Sequence, residues 1–170
     1  RNQGMLQDGE TVKGVDYDED LETVVVRTDS QTTYEEKLKK KTRTSGCAVG
    51  TVFGDMMEGL EEVRLPDLKV RTSDLYALAA KINQTPSLYL EAGAIHGTVL
   101  CQGDRPLVYM EDVGRHNAVD KIAGWMVSED VDAGDKLLYT TGRLTSVMVI
   151  KCALMGIPAL ASRSGFTAWG

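Results

Sequence analysis

At 170 residues, 42% of them hydrophobic and 26% charged, the chain suffices for one core-bearing domain, or one domain with an appendage, of ordinary globular composition. A formal charge of -6 and a pI near 5.0 argue against general nucleic-acid binding, which needs a basic surface. No apolar run is long enough to span a bilayer and no signal peptide is visible; three widely spaced cysteines form neither a disulfide framework nor a paired zinc knuckle, so a reducing cytoplasm is the expected compartment.

Residues 1–20 are polar and acidic without a period, and read as an irregular lead-in. The β-branched run from Glu22 to Arg27 predicts a strand. Tyr34 to Lys41 is charged and nearly free of apolar periodicity, an exposed helix or a tether; Thr42 to Thr51 reads as a loop, and Met56 to Leu60 as a helical turn. After Pro66, Ser73 is the expected N-cap of a helix whose apolar stripe is Leu75, Leu78, Ala79 and Ile82, ended by Pro86. A short apolar piece, Leu88 to Leu90, follows. Ala94 to Gln102 and Leu107 to Met110 predict two strands of a hairpin linked by Gly103-Asp-Arg-Pro106. A helix from Arg115 to about Ser128 buries Ala118, Val119, Ile122, Ala123 and Met126, and Gly114 marks the turn into it, where a residue without Cβ can take positive φ. Lys136 to Thr141 is the next strand. Val147 to Met155 is apolar nearly all round except Lys151, a helix buried on several sides. Ile157 to Ala161 is the last strand. A helix, a hairpin, then β–α–β–α–β predicts an α/β domain with a sheet between helices. Its expected bounds are 66–170, preceded by an N-terminal segment, 1–65.

The polar residues gather at helix starts. Arg115, His116 and Asn117 share the first turn after Gly114, with Asp120 and Lys121 one turn on; Gly142, Arg143 and Ser146 stand at the start of the next helix. Free N–H groups and the positive end of the helix dipole favour anions there, and guanidinium groups suit phosphate. The bland alternatives are a solvated, capped helix start, and an Arg143 that merely pairs with Asp112 or Asp120. His96 stands in an apolar context where a structural histidine is common. Ser162 and Ser164 follow the last strand, where ligands of α/β sheets lie, and equally suit turn chemistry.

The string Glu111-Asp-Val-Gly-Arg-His-Asn-Ala-Val-Asp-Lys121 resembles the signature of the FdhD family, the formate dehydrogenase accessory sulfurtransferases. Thr141-Gly-Arg-Leu-Thr-Ser-Val-Met-Val-Ile-Lys151, Gly156-Ile-Pro158, Ser162-Arg-Ser164 and, more weakly, Ala92-Gly-Ala-Ile-His96 agree with it, from about Leu21 onward. Both chain ends look cut by comparison with the family, the C-terminus in particular. The resemblance implies a three-layer α/β/α fold, a cytidine deaminase-like sheet with helices on both faces behind a short N-terminal appendage. Zinc deaminases carry His-x-Glu at the first of the two helices and Pro-Cys-x-x-Cys at the second. Here His116-Asn117-Ala118 lacks the glutamate and Gly142 to Ser146 lacks both thiolates, so no zinc is expected.

The resemblance further implies binding of a molybdenum (or tungsten) bis-guanine-dinucleotide cofactor, with GDP as a mimic. Its pyrophosphates would meet Arg115, His116, Gly142, Arg143 and Ser146. Asp112 or Asp120 would accept from the guanine edge, and Asn117, Lys121, His96, Ser162 and Ser164 complete the expected site; His96 would orient the cofactor or hold a proton near the transferring sulfur. Cys47, in a small-residue loop after Lys37, Lys39, Lys40, Lys41 and Arg43, is the expected persulfide carrier, since nearby positive charge favours a thiolate. The basic run would help dock a donor desulfurase or draw in the cofactor; its bland reading is a solvated tether. The family's loop carries Cys-Gly-x-Cys, whereas this one reads Cys47-Ala-Val-Gly50, so a two-thiol relay within it is impossible. Cys101, in a strand, and Cys152, in an apolar helix, are expected to be buried and inert. The implied partners are a cysteine desulfurase, the formate dehydrogenase catalytic subunit and a second copy of the chain; nucleic acid and membrane are not expected. The alternative is a non-catalytic carrier or chaperone of the cofactor.

Overall fold

The computed structural model describes residues 10–29 and 60–168. Cys47, its loop and the basic run lie outside them, as do all but the last residue of the turn expected at Met56 to Leu60; residues 60–62 are helical. In chain order the elements are β1 (Val12–Asp18), β2 (Thr23–Thr28), α1 (Thr72–Gln84), α2 (Leu88–Ala92), β3 (His96–Gln102), β4 (Arg105–Asp112), α3 (Arg115–Ser128), β5 (Leu137–Thr140), α4 (Ser146–Leu154) and β6 (Ala159–Ser162).

Strands β1 and β2 pair antiparallel as a separate ribbon, with Val15 opposite Val26 and Tyr17 opposite Val24. The expectation of an irregular stretch over residues 1–20 is therefore wrong for β1. Its alternation of Val15, Asp16, Tyr17 and Asp18 is the period of a strand with one apolar face, and the density of acidic residues obscured it.

The main sheet has the order β4-β3-β5-β6. Strand β3 is antiparallel to both β4 and β5, while β5 and β6 are parallel. Side chains alternate across it. Val99, Cys101, Leu137 and Tyr139 face Leu78 and Ile82 of α1, one core cluster. Leu100 and Leu138 face the other way, against Val119, Ile122 and Met126 of α3 and Met148 and Cys152 of α4. Helices thus cover both faces of the sheet. Leu100, Leu138, Ile122 and Met148 are fully buried, each worth about 1.5–3 kcal/mol of transfer free energy.

Local chemistry departs from the sequence expectation at four places. Helix α1 begins two residues earlier than expected, with Arg71 rather than Ser73 as N-cap and no side-chain cap bond; Arg71 instead reaches Asp74, 3.0 Å away. The hairpin turn is shorter than the expected link, because Arg105 and Pro106 already pair with Gln102 and Cys101; a register irregularity between Leu100 and Cys101 precedes them. Gly114 has φ -96°, not a positive value; a Cβ there would lie 3.2 Å from Asn117 Nδ2, so the close packing of the turn explains the glycine. Lys151, the expected polar exception on α4, is 2% exposed, while Val149 is 39% exposed.

Candidate functional site

The strand register gathers the candidate residues at one end of the sheet. His96 opens β3 and pairs with Asp112, the last residue of β4. Thr98 pairs with Thr140 at the end of β5, and Thr140 pairs with Ser162 at the end of β6. The chain leaves β4 and β5 at this same end to start α3 and α4, so both helix starts lie over it. Open α/β sheets present ligands in such a place, where connections leave the carboxyl ends of strands.

The two starts adjoin. A Cβ on Gly142 would stand 3.0 Å from Arg115 Cβ, 3.3 Å from Arg115 Cδ and 3.5 Å from His96 Nδ1. Gly142 therefore lets the Arg115 side chain and the His96 ring approach the backbone that leads into α4. Neither N-cap, Gly114 of α3 or Thr145 of α4, closes its helix with a side-chain bond.

Hydroxyl groups brace the segment between β5 and α4. The Gly97 N–H donates to Thr141 Oγ1 at 2.9 Å, and the Gly142 N–H to Thr140 Oγ1 at 3.1 Å. Ser162 Oγ donates to the Gly142 carbonyl at 2.8 Å and accepts from the Ser164 N–H at 3.0 Å. Ser164 Oγ donates to the Thr141 carbonyl at 2.6 Å. Both serines thus take part in turn chemistry, and by it they hold Gly142 in place.

The acidic residues are engaged by lysines rather than by Arg143, which is exposed. Asp112 Oδ1 accepts from the Gly114 N–H at 2.8 Å and from Asn117 Nδ2 at 3.2 Å, and Oδ2 lies 2.8 Å from Lys121 Nζ. The Lys121 hydrogen bond, aided by the Gly114 N–H and Asn117, holds the Asp112 carboxyl below the usual range. Lys121 also donates to the Glu111 carbonyl at 2.7 Å, which fastens α3 to the end of β4. Both oxygens of Asp120 accept from Lys151 Nζ at 2.8 Å. Arg143 as the partner of a core carboxylate does not occur in these contacts.

His116 is 7% exposed and its Nε2 has no hydrogen-bond partner. Burial, then the positive charges of Arg115 and Lys151, push its pKa down to about 4, so the ring is neutral at physiological pH. Burial and Arg115 lower His96 as well. A neutral imidazole offers one donor and one acceptor. The Thr145 hydroxyl oxygen is likewise buried without a partner. Burial drives the thiols of Cys101 and Cys152 up to about 12, the inert state expected of them, because a thiol that stays protonated is a poor nucleophile.

Sequence reasoning overlooked Lys151, Thr140, Thr141 and Thr145. A lone lysine in an otherwise apolar helix was the available signal for Lys151. The threonines carry no such signal, since their hydroxyls gain a role only through cross-strand pairing.

A family model described as the FdhD/NarQ family matches residues 1–170. The sulfur carrier protein FdhD of Wolinella succinogenes is 32% identical over 164 residues, covering 89% of this chain and 57% of that protein. The sulfur carrier protein FdhD of Bacillus subtilis is 26% identical over 168 residues, 98% of this chain and 64% of its own length. The chain thus spans somewhat over half the length of these curated relatives. A crystal structure from Desulfotalea psychrophila, of a protein assigned as a formate dehydrogenase accessory protein, is 38% identical with a TM-score of 0.59, over 66% of this chain and 48% of the other. A match along its full length, with the signature residues standing at two adjoining helix starts, places the chain in the FdhD/NarQ family.

Proposed function

We propose that the protein carries sulfur to a guanine-dinucleotide molybdenum cofactor needed for formate dehydrogenase activity. The observation that carries this reading is the contact of Gly142 with Arg115 and His96, which joins two uncapped helix starts into one anion-friendly opening. The pyrophosphates of the cofactor, here a substrate, would sit against Arg115, His116, Gly142, Arg143 and Ser146. Asp112 or Asp120 would take the guanine N–H edge, with Asn117, Lys121, His96, Ser162 and Ser164 supporting the site. The strand order β4-β3-β5-β6, with only β5 and β6 parallel, supports a cytidine deaminase-like sheet, formed by a cofactor-binding domain over 66–170 behind an N-terminal segment, 1–65.

Cys47 is the proposed carrier. Its thiolate attacks the outer sulfur of a persulfide on a cysteine desulfurase, and the desulfurase thiolate leaves. The outer sulfur then passes to the metal, which needs two electrons to hold it as sulfide. An external thiol would supply them by attacking the inner, Cys47 sulfur: the S–S bond breaks, the outer sulfur leaves as sulfide for the metal, and Cys47 is left in a mixed disulfide that a second external thiol reduces, since the loop Cys47-Ala-Val-Gly50 has no second cysteine and Cys101 and Cys152 are buried. The sulfurated cofactor would go to the formate dehydrogenase catalytic subunit. A homodimer working in a reducing cytoplasm completes the proposal; no helix among the described residues is long and apolar enough to cross a membrane.

A second reading, a non-catalytic carrier or chaperone of the cofactor, is favoured by that single loop thiol. Loading with radiolabelled cysteine and a desulfurase separates the two. Label on the wild type that is lost in Cys47→Ala supports transfer; a wild type that binds GDP but takes no label is a carrier, and one that does neither refutes both readings.

A further inference from the structure

Lys151 is the largest fully buried side chain among the described residues, 2% exposed, in a helix that otherwise has apolar reasons to be buried. Burying an ammonium is costly without a partner. Its partner is Asp120 on the neighbouring helix, with both carboxylate oxygens 2.8 Å from Nζ. Asp120 is five residues after Arg115, the first residue of α3, and Lys151 is five residues after Ser146, the first residue of α4. The ion pair therefore ties the two helices at matching depths beneath their starts.

His116 lies beside this pair. The charged and titratable groups near it are Arg115 and Asp120 on its own helix, Lys151 on α4 and His96 on β3. Three of the four are cationic or can become so.

We propose that Lys151 is a positioning residue of the ligand site, which with Asp120 sets the register of the two helix starts and places a fixed positive charge beside His116. The consequence is a neutral imidazole whose Nε2 hydrogen-bonds a polar group of the ligand. The ligand in this statement rests on the proposed cofactor reading; the role of Lys151 at His116 does not.

The chain has two histidines, so imidazole signals in an NMR pH titration of the ligand-free protein are assigned by His96→Gln. Wild-type His116 stays neutral down to about pH 4. In Lys151→Met its midpoint rises by about one pH unit, because a lowering charge is gone while the raising charge of Asp120 remains. Lys151→Arg, which keeps the charge, keeps the midpoint low. A wild-type midpoint near the unperturbed 6.5, or one unchanged in Lys151→Met, overturns the assignment. Should Lys151→Met not fold, Asp120→Asn decides with the wild type: the midpoint falls or stays low, and a rise refutes the role of the lysine charge. GDP titration of the wild type is a separate arm. No GDP binding with the expected titration sinks the cofactor reading alone; GDP binding with an unshifted His116 sinks the Lys151 assignment alone.

Discussion

Replacing Gly142 with alanine probes the contact on which the proposed ligand site depends. Gly142 lies outside the positive-φ glycines, so its backbone accommodates alanine. The added methyl would meet Arg115 Cβ at 3.0 Å and Cδ at 3.3 Å, with His96 Nδ1 at 3.5 Å. Carbon atoms rest about 3.5–4.0 Å apart, so Arg115 must give way by several tenths of an ångström. Overpacking of this kind costs about 1–3 kcal/mol, against a gain of about 0.4–1 kcal/mol from the stiffer unfolded chain. The net is a loss of up to about 2.5 kcal/mol, or a fall in Tm of several degrees for a chain of this size. Displacing Arg115 should weaken GDP by about tenfold, since about 1.4 kcal/mol corresponds to that factor. Calorimetric titration with GDP and a thermal melt read both effects. Gly124→Ala is the control: it sits inside α3 with nothing within 4 Å of its Cβ, so it should raise stability by up to about 1 kcal/mol and leave GDP binding alone. Unchanged GDP affinity in Gly142→Ala would refute the reasoning, because the phosphate subsite would then lie elsewhere.

The remaining expectations concern single groups. His116 has its pKa lowered from 6.5 to about 4 on folding, so the unfolded state binds more protons between those values. Stability is therefore full above about pH 6.5 and declines as pH falls toward 4, by on the order of 3 kcal/mol. His116→Gln should flatten that part of a denaturation-midpoint profile, and an unaltered slope would assign the acid sensitivity to other groups. Alkylation of the native protein near pH 8 should leave Cys101 and Cys152 unmodified until denaturant is added, as mass spectrometry of peptides would show, because burial holds both thiols near 12. Asp112→Ala removes the acceptor of the Gly114 N–H and the partner of Lys121; it should cost about 1 kcal/mol by urea denaturation. The Asp112 carboxyl is lowered by Lys121, so its contribution is present above the unfolded carboxyl pKa and should fade as pH falls through the lower folded value.

Periodicity in one dimension was enough for the main elements. The stripe Leu78 and Ile82, the stripe Val119, Ile122 and Met126, and the β-branched and apolar runs of β3 and β5 each reveal the element and its buried face. That information is local: a helix repeats every 3.6 residues and a strand every two, whatever surrounds them. The signature around Arg115 and the missing second cysteine beside Cys47 are likewise properties of the string itself.

Partnerships were another matter. Sequence spacing left Arg143 open to Asp112 or Asp120, and the fold handed those carboxylates to Lys121 and Lys151. It expected the Gly114 turn to need a positive φ, where the need is for room beside Asn117. That Gly142 would touch Arg115, or that Thr141 would hold Gly97 across the sheet, follows from the pairing of β3 with β5, strands separated in the chain by β4 and α3. Composition and local pattern therefore decided which segments are helices and strands and where charge is concentrated. Strand register and helix packing decided which of those charges meet, because close contact across a core depends on the whole arrangement of layers and on no single stretch of chain.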